Sequence, residues 1–276
     1  MKQPRPFSYT QSGELLKSPA HLKAYLDDEK SPPSDEQIFG KLVHTLLLEP
    51  EAQETRIDRR PRYFVLGESV KDFKSNANRA QRDSARDEYG YAFVVKHDTF
   101  VKAEKVRDAV LKNPEAKELL DAEGETELGI EWTDERTDIA CRGFVDKYLN
   151  GTTLDIKTAA NAAGQSFRWA VKRWGYHRQG AMYLSGLEAT GRAVDWRDYR
   201  CLAIETSAPF LSAVHRISTA FLEIGRREVD ELLDRYKLCL ALDDFPGYPG
   251  EVIEPPPGYT PIYDITEEEE EDGILV

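Results

Sequence analysis

The sequence predicts an α/β domain, in which a central mixed β-sheet is flanked by helices and preceded by a helical N-terminal part. Two patterns predict this class. The first 50 residues and residues 97–120 carry apolar positions at helical spacing, whereas the chain after Gly124 contains short strand-like runs with helices between them. The 276 residues, of which 40% are hydrophobic, can also supply a sizeable core. The expected units are a domain over residues 1–242, with a helical part over 1–123 and a core over 124–242, and a Pro/Gly-rich acidic tail over 243–276.

The N-terminal helices are predicted from their caps and apolar stripes. Ser12 is the expected N-cap of the first helix, and Ser18-Pro19 begins the second. The run DEQIFGKLVHTLLLEP predicts a third helix that ends at its proline. Residues 51–92 are rich in arginine and show little periodicity, so we expect loops and short helices there. Residues 97–120 are helical again, with an interruption near Asn113-Pro114.

Short apolar runs separated by turn residues predict the sheet. Three strands are expected in ELGIEWT, IACRGFVDKYLN and TTLDIKT, because turn-forming residues such as Asn150-Gly151 separate them. Two helices follow in SFRWAVKRW and YHRQGAMYLSGLEATG. Two further strands, YRCLAIETS and LSAVHRIS, precede a closing helix over residues 219–242.

The charge of the chain is unevenly distributed. The formal net charge is -13, which by itself disfavours binding to DNA phosphates. From Asp243 to the end, the chain carries eleven acidic residues and no lysine or arginine, and removing those acids leaves 39 acids against 37 bases. The domain is therefore nearly neutral and can carry a local basic groove. We interpret the acidic end as a solvated tail; the alternative is a peptide that docks on a partner or competes with DNA.

Several classes of protein are excluded by composition. The three cysteines lie far apart, so they indicate neither a disulfide framework nor a zinc site, and they cannot build a four-cysteine iron-sulfur cluster alone. Neither GxGxxG nor GxxxxGK[ST] occurs, so we expect no nucleotide cofactor. We also expect a cytoplasmic protein without a membrane partner, because no apolar run is long enough for a span or a signal peptide.

The stretch GFVDKYLNGTTLDIKT contains the candidate catalytic residues. It places Asp146 and Asp155 on two strands joined by a tight turn, and Asp155 and Lys157 on the same face of one strand. Two carboxylates can hold Mg²⁺, while the lysine positions a water molecule or stabilises developing charge during phosphodiester hydrolysis. Taken alone, the Asp-x-Lys pair is more typical of a surface ion pair.

The helix that follows carries Gln179 and Tyr183, which are four residues apart and therefore share one face. GFVD, a hairpin, LDIKT and then this Q-x-x-x-Y helix resemble the motif series of RecB-type PD-(D/E)XK nucleases. The resemblance implies a restriction-endonuclease-like core in which Asp146, Asp155 and Lys157 are catalytic. It also implies that Gln179 and Tyr183 flank the active site and contact DNA or order the site.

Residues 10–240 resemble more closely the RecE-like branch (exonuclease VIII and its phage relatives). The similarity lies in KSPAHLKAYL, FGKLVHTLLLEP and EWTDERTDIACRGFVD. It implies that His44 is a metal ligand, which its apolar helix alone would not suggest. With Asp146, Asp155 and the backbone carbonyl of Ile156, His44 would hold Mg²⁺, for which Mn²⁺ substitutes. Glu131 is expected either to complete the metal shell or to face solvent.

The same resemblance implies a function. Members of this branch digest double-stranded DNA from its ends in the 5′ to 3′ direction, often as ring-shaped oligomers, and act in recombination or phage DNA metabolism with a single-strand annealing protein. Two alternatives stay open. One is a related RecB-type nuclease that cuts single-stranded or branched DNA or nicks internally. The other is a non-catalytic DNA- or partner-binding protein that retains the fold.

Basic residues near the motif are candidates for binding the DNA backbone. In SFRWAVKRWGYHR they alternate with aromatic residues that can stack on a separated strand, although packing of the two tryptophans into the core is the alternative. A second candidate is the segment RIDRRPR, which can equally be a solvated loop. The predicted DNA-binding residues are Arg168, Lys172, Arg173, Arg178, Arg59 and Arg60.

Overall fold

A five-stranded mixed sheet lies at the centre of the chain in the computed structural model, which describes residues 5–27, 33–49, 63–89 and 93–250. The strands are β1 Tyr63–Val65, β2 Phe93–Val95, β3 Glu125–Asp134, β4 Ile139–Leu149, β5 Gly151–Ala159, β6 Val194–Glu205 and β7 Ser212–Arg216. The central sheet has the order β3-β4-β5-β6-β7, and all its neighbours are antiparallel except β5 and β6, which are parallel. The predicted mixed sheet is confirmed.

Helices cover the sheet and form the N-terminal part. They are α1 Tyr9–Lys17, α2 Pro19–Asp27, α3 Asp35–Leu48, α4 Asn76–Tyr89, α5 His97–Val110, α6 Pro114–Asp121, α7 Gly164–Trp174, α8 Tyr176–Ala189 and α9 Thr219–Leu242. The break before Pro114 and the start of α2 at Pro19 agree with the sequence. The cap of α1 does not, because Ser8 caps this helix in a capping box with Gln11, while Ser12 is buried inside it.

Of residues 51–92, predicted as loops and short helices, the structure describes 63–89, and this part contains more regular structure than expected. Helix α4 is 14 residues long, and β1 and β2 form a separate parallel pair. Strands of three residues are too short to show an alternating pattern. Helix α4 is mostly polar, so it lacks the apolar stripe from which a helix is predicted.

Each face of the central sheet packs against its own helices. Leu154 and Ile156 of β5 lie in a cluster with Leu42 of α3 and residues of α5. On the opposite face of the sheet, Leu184 of α8 packs with Cys201 of β6. Strand β5 is therefore buried between helical layers, as the run of apolar residues around its acid requires.

The strands β4 and β5 pair only near their connecting turn. Their register covers Lys147–Leu149 and Thr152–Leu154, and the two strands diverge beyond this point. The segment before α1 occupies the freed edge of β4: Phe7 N donates to Ala140 O (2.7 Å), and Arg142 N donates to Phe7 O (2.8 Å). The opening between β4 and β5 positions the candidate site.

The chain after α9 returns to the N-terminal helices. Ala20 N donates to Pro246 O (3.2 Å), and Phe245 packs against the cluster that contains Phe7. The predicted tail therefore begins with residues that contact the domain, and its acid-rich part, 251–276, lies outside the described residues. No helix in the described ranges is long and apolar enough to cross a membrane.

Candidate active site

The divergence of β4 and β5 places the Asp146 carboxylate where a ladder hydrogen bond would otherwise lie. Its Oδ2 atom accepts a hydrogen bond of 2.6 Å from the backbone N–H of Ile156, the residue after Asp155. This bond holds the two strands together past the last paired residues, Lys147 and Leu154. The predicted hairpin therefore brings the two acids to one place by both strand pairing and a side-chain contact.

Asp155 and Lys157 form a buried ion pair on the same face of β5. Lys157 Nζ contacts Asp155 Oδ2, and the two side chains are 13% and 2% exposed. The lysine Nζ also lies 4.9 Å from the centre of the Tyr176 ring. The other carboxylate oxygen, Asp155 Oδ1, is buried and has no hydrogen-bond partner among the described residues. An ion pair this enclosed is unlike the exposed surface pair that the motif alone could also indicate.

A second group of side chains beside the pair can hold a metal ion. His44 of α3, Glu127 of β3 and Asp146 each offer a ligand atom, and these atoms lie within 4.8 Å of one another. His44 Nδ1 is 3.6 Å from Asp146 Oδ2. The sequence-predicted residues His44 and Asp146 are thus neighbours in the structure.

Glu127 stands in this group where the sequence suggested Glu131. Glu131 is exposed and opposite Arg142 in the β3–β4 ladder. Glu127 has a positive φ of 50° and, by the register of its neighbours, lies opposite Asp146. Sequence reasoning missed Glu127 because the pairing register of β3 with β4, which places it there, cannot be read from either strand alone.

Burial controls the protonation of the site. It raises the pKa of Asp146 and raises that of Asp155 to about 6, although Lys157 opposes both shifts. Burial, with the charge of Lys157, lowers the pKa of His44 to about 4, so its imidazole is neutral and can act as a metal ligand at neutral pH. Burial also disfavours the Lys157 ammonium, but Asp155 and Asp146 outweigh this effect and raise its pKa.

Helix α8 packs directly on β4 beside the acids. Gln179 Nε2 donates to Tyr183 Oη (2.9 Å), and both side chains are buried on one helix face. The Tyr183 ring lies against Gly143, where a Cβ atom would be 2.9 Å from two ring carbons. The glycine of GFVD is therefore required for this close approach. The role of Gln179 and Tyr183 in contacting DNA stays a prediction.

The predicted DNA-binding residues fall into three groups. Arg168, Lys172 and Arg173 are exposed on α7. Arg178 is buried and pairs with Glu228 (2.9 Å), so it does not share the α7 surface as expected, because nearly all of α8 is enclosed. The other two predicted residues, Arg59 and Arg60, lie outside the described residues.

The tryptophans of α7 are on the surface. Trp169 is 66% exposed and Trp174 is 55% exposed. Packing of these two side chains into the core was the alternative interpretation of the sequence, and the structure shows the opposite.

A mixed sheet with a divergent hairpin that presents an acid beside an Asp-x-Lys pair, flanked by a Gln/Tyr helix, defines a PD-(D/E)XK-type domain. The sequence comparison agrees. Residues 8–253 match the family described as "PDDEXK-like domain of unknown function (DUF3799)". This match covers most of the chain, and the chain belongs to that family. The predicted fold and the suspected superfamily are confirmed.

Solved structures include one of similar fold. The crystal structure of a "putative exonuclease" from Eubacterium rectale aligns with a TM-score of 0.55 and 12% identity, over 95% of this chain and 93% of its own. A second structure, of the protein SSO0001, aligns over 71% of this chain and 85% of its own at 12% identity, but its TM-score of 0.27 carries no argument. No curated protein matches the sequence.

Proposed function

We propose that this chain is a divalent-metal-dependent deoxyribonuclease that hydrolyses DNA phosphodiester bonds. The observation that carries the proposal is the buried Asp155–Lys157 ion pair next to the group formed by His44, Glu127 and Asp146. Enclosed charges are costly for folding, so a cluster of them at a strand opening indicates chemistry rather than stability.

The residues fit a divalent cation. Asp155 Oδ1 is a buried carboxylate oxygen without a hydrogen-bond partner among the described residues, and an ion would satisfy it. His44, Glu127 and Asp146 supply one imidazole nitrogen and carboxylate oxygens within a small space. Mg²⁺ prefers oxygen ligands, and Mn²⁺ accepts an imidazole more readily, so both ions suit this donor set.

The side chains have two different proposed roles in hydrolysis. A bound cation would polarise the phosphate and lower the pKa of a bound water molecule. His44, Asp146 and Asp155 are the proposed ligands, with the Ile156 carbonyl and with Glu127 in place of Glu131. Lys157, held by Asp155, would orient the attacking water or stabilise the negative charge that develops on the phosphate.

The finer proposal concerns substrate and mode. The likeness of residues 10–240 to the RecE-like branch supports 5′ to 3′ digestion of double-stranded DNA ends, in recombination or phage DNA metabolism. The family match supports a nuclease of the PDDEXK type, and the Eubacterium rectale structure of similar fold is described as a "putative exonuclease". A homo-oligomer and a single-strand annealing partner are part of the same proposal, and they rest on the resemblance alone.

Digestion of end-labelled linear duplex DNA tests the proposal. We expect cleavage in Mg²⁺ or Mn²⁺ and none in EDTA, with loss of activity in Asp155→Ala and Lys157→Ala. Lys117 and Asp121 form an exposed ion pair on α6, so Lys117→Ala and Asp121→Ala are matched controls that should retain activity. Full activity in either β5 variant would refute the assignment.

The substrate set separates the alternatives. Label position and product length on linear duplex report polarity and end dependence. Cleavage of circular DNA, or of single strands only, would indicate the related nuclease that nicks or cuts unpaired DNA. Absence of both cleavage and Mn²⁺ binding would indicate a non-catalytic protein that retains the fold.

A further inference from the structure

Helix α7 presents aromatic and basic side chains to solvent together. Phe167 and Val171 anchor the helix in the core, and the opposite face carries Arg168, Trp169, Lys172 and Arg173. The helix contains no acidic residue, although the whole chain has a net charge of -13. This face is therefore a local positive surface with a large apolar ring at its centre.

Each of the two tryptophan rings lies beside a cation of the same helix. Lys172 Nζ lies 5.9 Å from the Trp169 ring centre, and the Arg173 guanidinium lies 5.1 Å from that of Trp174. Leaving such rings 66% and 55% exposed costs free energy in water, so they indicate a surface that a ligand covers.

Both ends of α7 are tied to the proposed catalytic strand. Its first residue follows the end of β5 by a short loop, and the helix ends at Gly175 in the left-handed conformation (φ 69°). The next residue is Tyr176, whose ring lies 4.9 Å from Lys157 Nζ. Tyr9 Oη also donates to the Trp174 carbonyl, and burial raises the pKa of Tyr9, although the charges of Arg178 and Lys157 lower it. The exposed face thus begins within a few residues of the site.

We propose that this face binds an unpaired DNA strand next to the cleavage site. Bases would stack on Trp169 and Trp174, and phosphates would pair with Arg168, Lys172 and Arg173. The inference rests on the proposed nuclease function and adds to it the kind of substrate segment that is held. In a duplex the bases are stacked on one another, so only a separated strand or a single-stranded end can use both rings.

Charge and residue type together favour a nucleic acid over a protein partner. Lysine is depleted in the cores of protein–protein interfaces, whereas aromatic rings interleaved with lysine and arginine are the usual means of holding single strands. A positively charged helix face on a strongly acidic chain also suits an anionic ligand such as DNA.

Binding of a fluorescein-labelled oligothymidylate, measured by anisotropy in EDTA so that no cleavage occurs, tests the inference. The double variant Trp169→Leu/Trp174→Leu should bind at least about tenfold more weakly than the wild type, because it removes both rings on which bases stack. Trp169→Phe/Trp174→Phe retains two aromatic faces and should restore most of the affinity. Affinity for blunt duplex should change little in either variant.

One control variant and one charge variant accompany this measurement. Leu238→Ala/Leu242→Ala removes apolar side chains of similar exposure from α9 and should leave binding unchanged. Arg168→Gln/Arg173→Gln should weaken binding and reduce its dependence on salt, because fewer counterions are released. Thermal unfolding checks that each variant is folded, and the single variant Trp169→Leu replaces the double variant if the latter is unstable.

The outcomes distinguish this inference from the proposed function. Wild-type affinity in the leucine variant, or equal loss in the phenylalanine and leucine variants, would overturn the stacking surface. So would absence of single-strand binding by the wild-type protein that cleaves DNA. In contrast, stacking-dependent binding by a protein in which Asp155→Ala does not change cleavage would contradict the catalytic assignment and leave the surface intact.

Discussion

Replacing Asp146 by asparagine or by alanine should separate the effect of this side chain on the free energy of unfolding from its role in cleavage. Asparagine keeps a side-chain oxygen that can accept the Ile156 N–H, whereas alanine leaves this buried donor without its partner. A buried donor that loses its acceptor costs about 1–3 kcal/mol. We therefore expect Asp146→Ala to be less stable than Asp146→Asn by about that amount, with both variants inactive in cleavage.

The asparagine variant should be at least as stable as the wild type in EDTA at neutral pH. Burial raises the pKa of Asp146, which means that the folded protein pays for keeping this carboxylate charged. Asparagine removes that cost. The pKa of Asp146 in the folded state lies above its value in the unfolded state. The destabilisation by the charged carboxylate therefore declines as the pH falls through the folded pKa. The difference in free energy of unfolding between the wild type and Asp146→Asn should accordingly become smaller in acid.

In the presence of a divalent cation, the wild type should become more stable than Asp146→Asn. An ion that binds only the folded state stabilises it by mass action, and the wild type has the full ligand set. Urea unfolding of the three proteins, each in EDTA and in Mn²⁺, measures all of these differences. Equal stabilisation of wild type and Asp146→Asn by Mn²⁺, or cleavage by the asparagine variant, would refute the placement of Asp146 at the metal site.

Two further predictions concern packing and burial. Gly143→Ala places a Cβ atom against the Tyr183 ring and should lower the free energy of unfolding by about 1–3 kcal/mol, whereas Gly13→Ala, with open space in α1, should not destabilise the protein. Urea unfolding compares the two, and equal stability would contradict the close packing of α8 on β4. Burial raises the pKa of Cys141 to about 12, so its thiol should resist Ellman's reagent in the native protein at about pH 8 and react after unfolding. Prompt native labelling at Cys141 would contradict its burial.

The sequence predicted the central elements because each carries a strong local signal. The strands around Asp146 and Asp155 alternate or run apolar between clear turns, and the helix of His44 has a regular stripe. The Ser8 cap of α1 was also visible, since Gln11 stands three residues later, whereas Ser12 lacks such a partner. The prediction of Ser12 as the N-cap was therefore wrong.

Other features depend on contacts that no local pattern records. Helix α4 has a polar sequence, and β1 pairs with β2 across the whole of α4. The place of Glu127 in the candidate metal-binding group follows from the β3–β4 register, and Arg178 is buried in a pair with Glu228 of α9. These are tertiary effects, which override local propensity.

The pairing of Phe7 with β4 bears on the order in which the chain folds. Phe7 meets Cys141 across about half of the chain, and its ring stacks on Tyr236 of α9 at 5.2 Å. Closing the loop between such distant residues costs chain entropy. The segment around Phe7 contacts both β4 and α9, so its docking requires both elements to be in place. Since Tyr9 lies two residues beyond Phe7 and contacts the end of α7, the same docking completes the surroundings of the site.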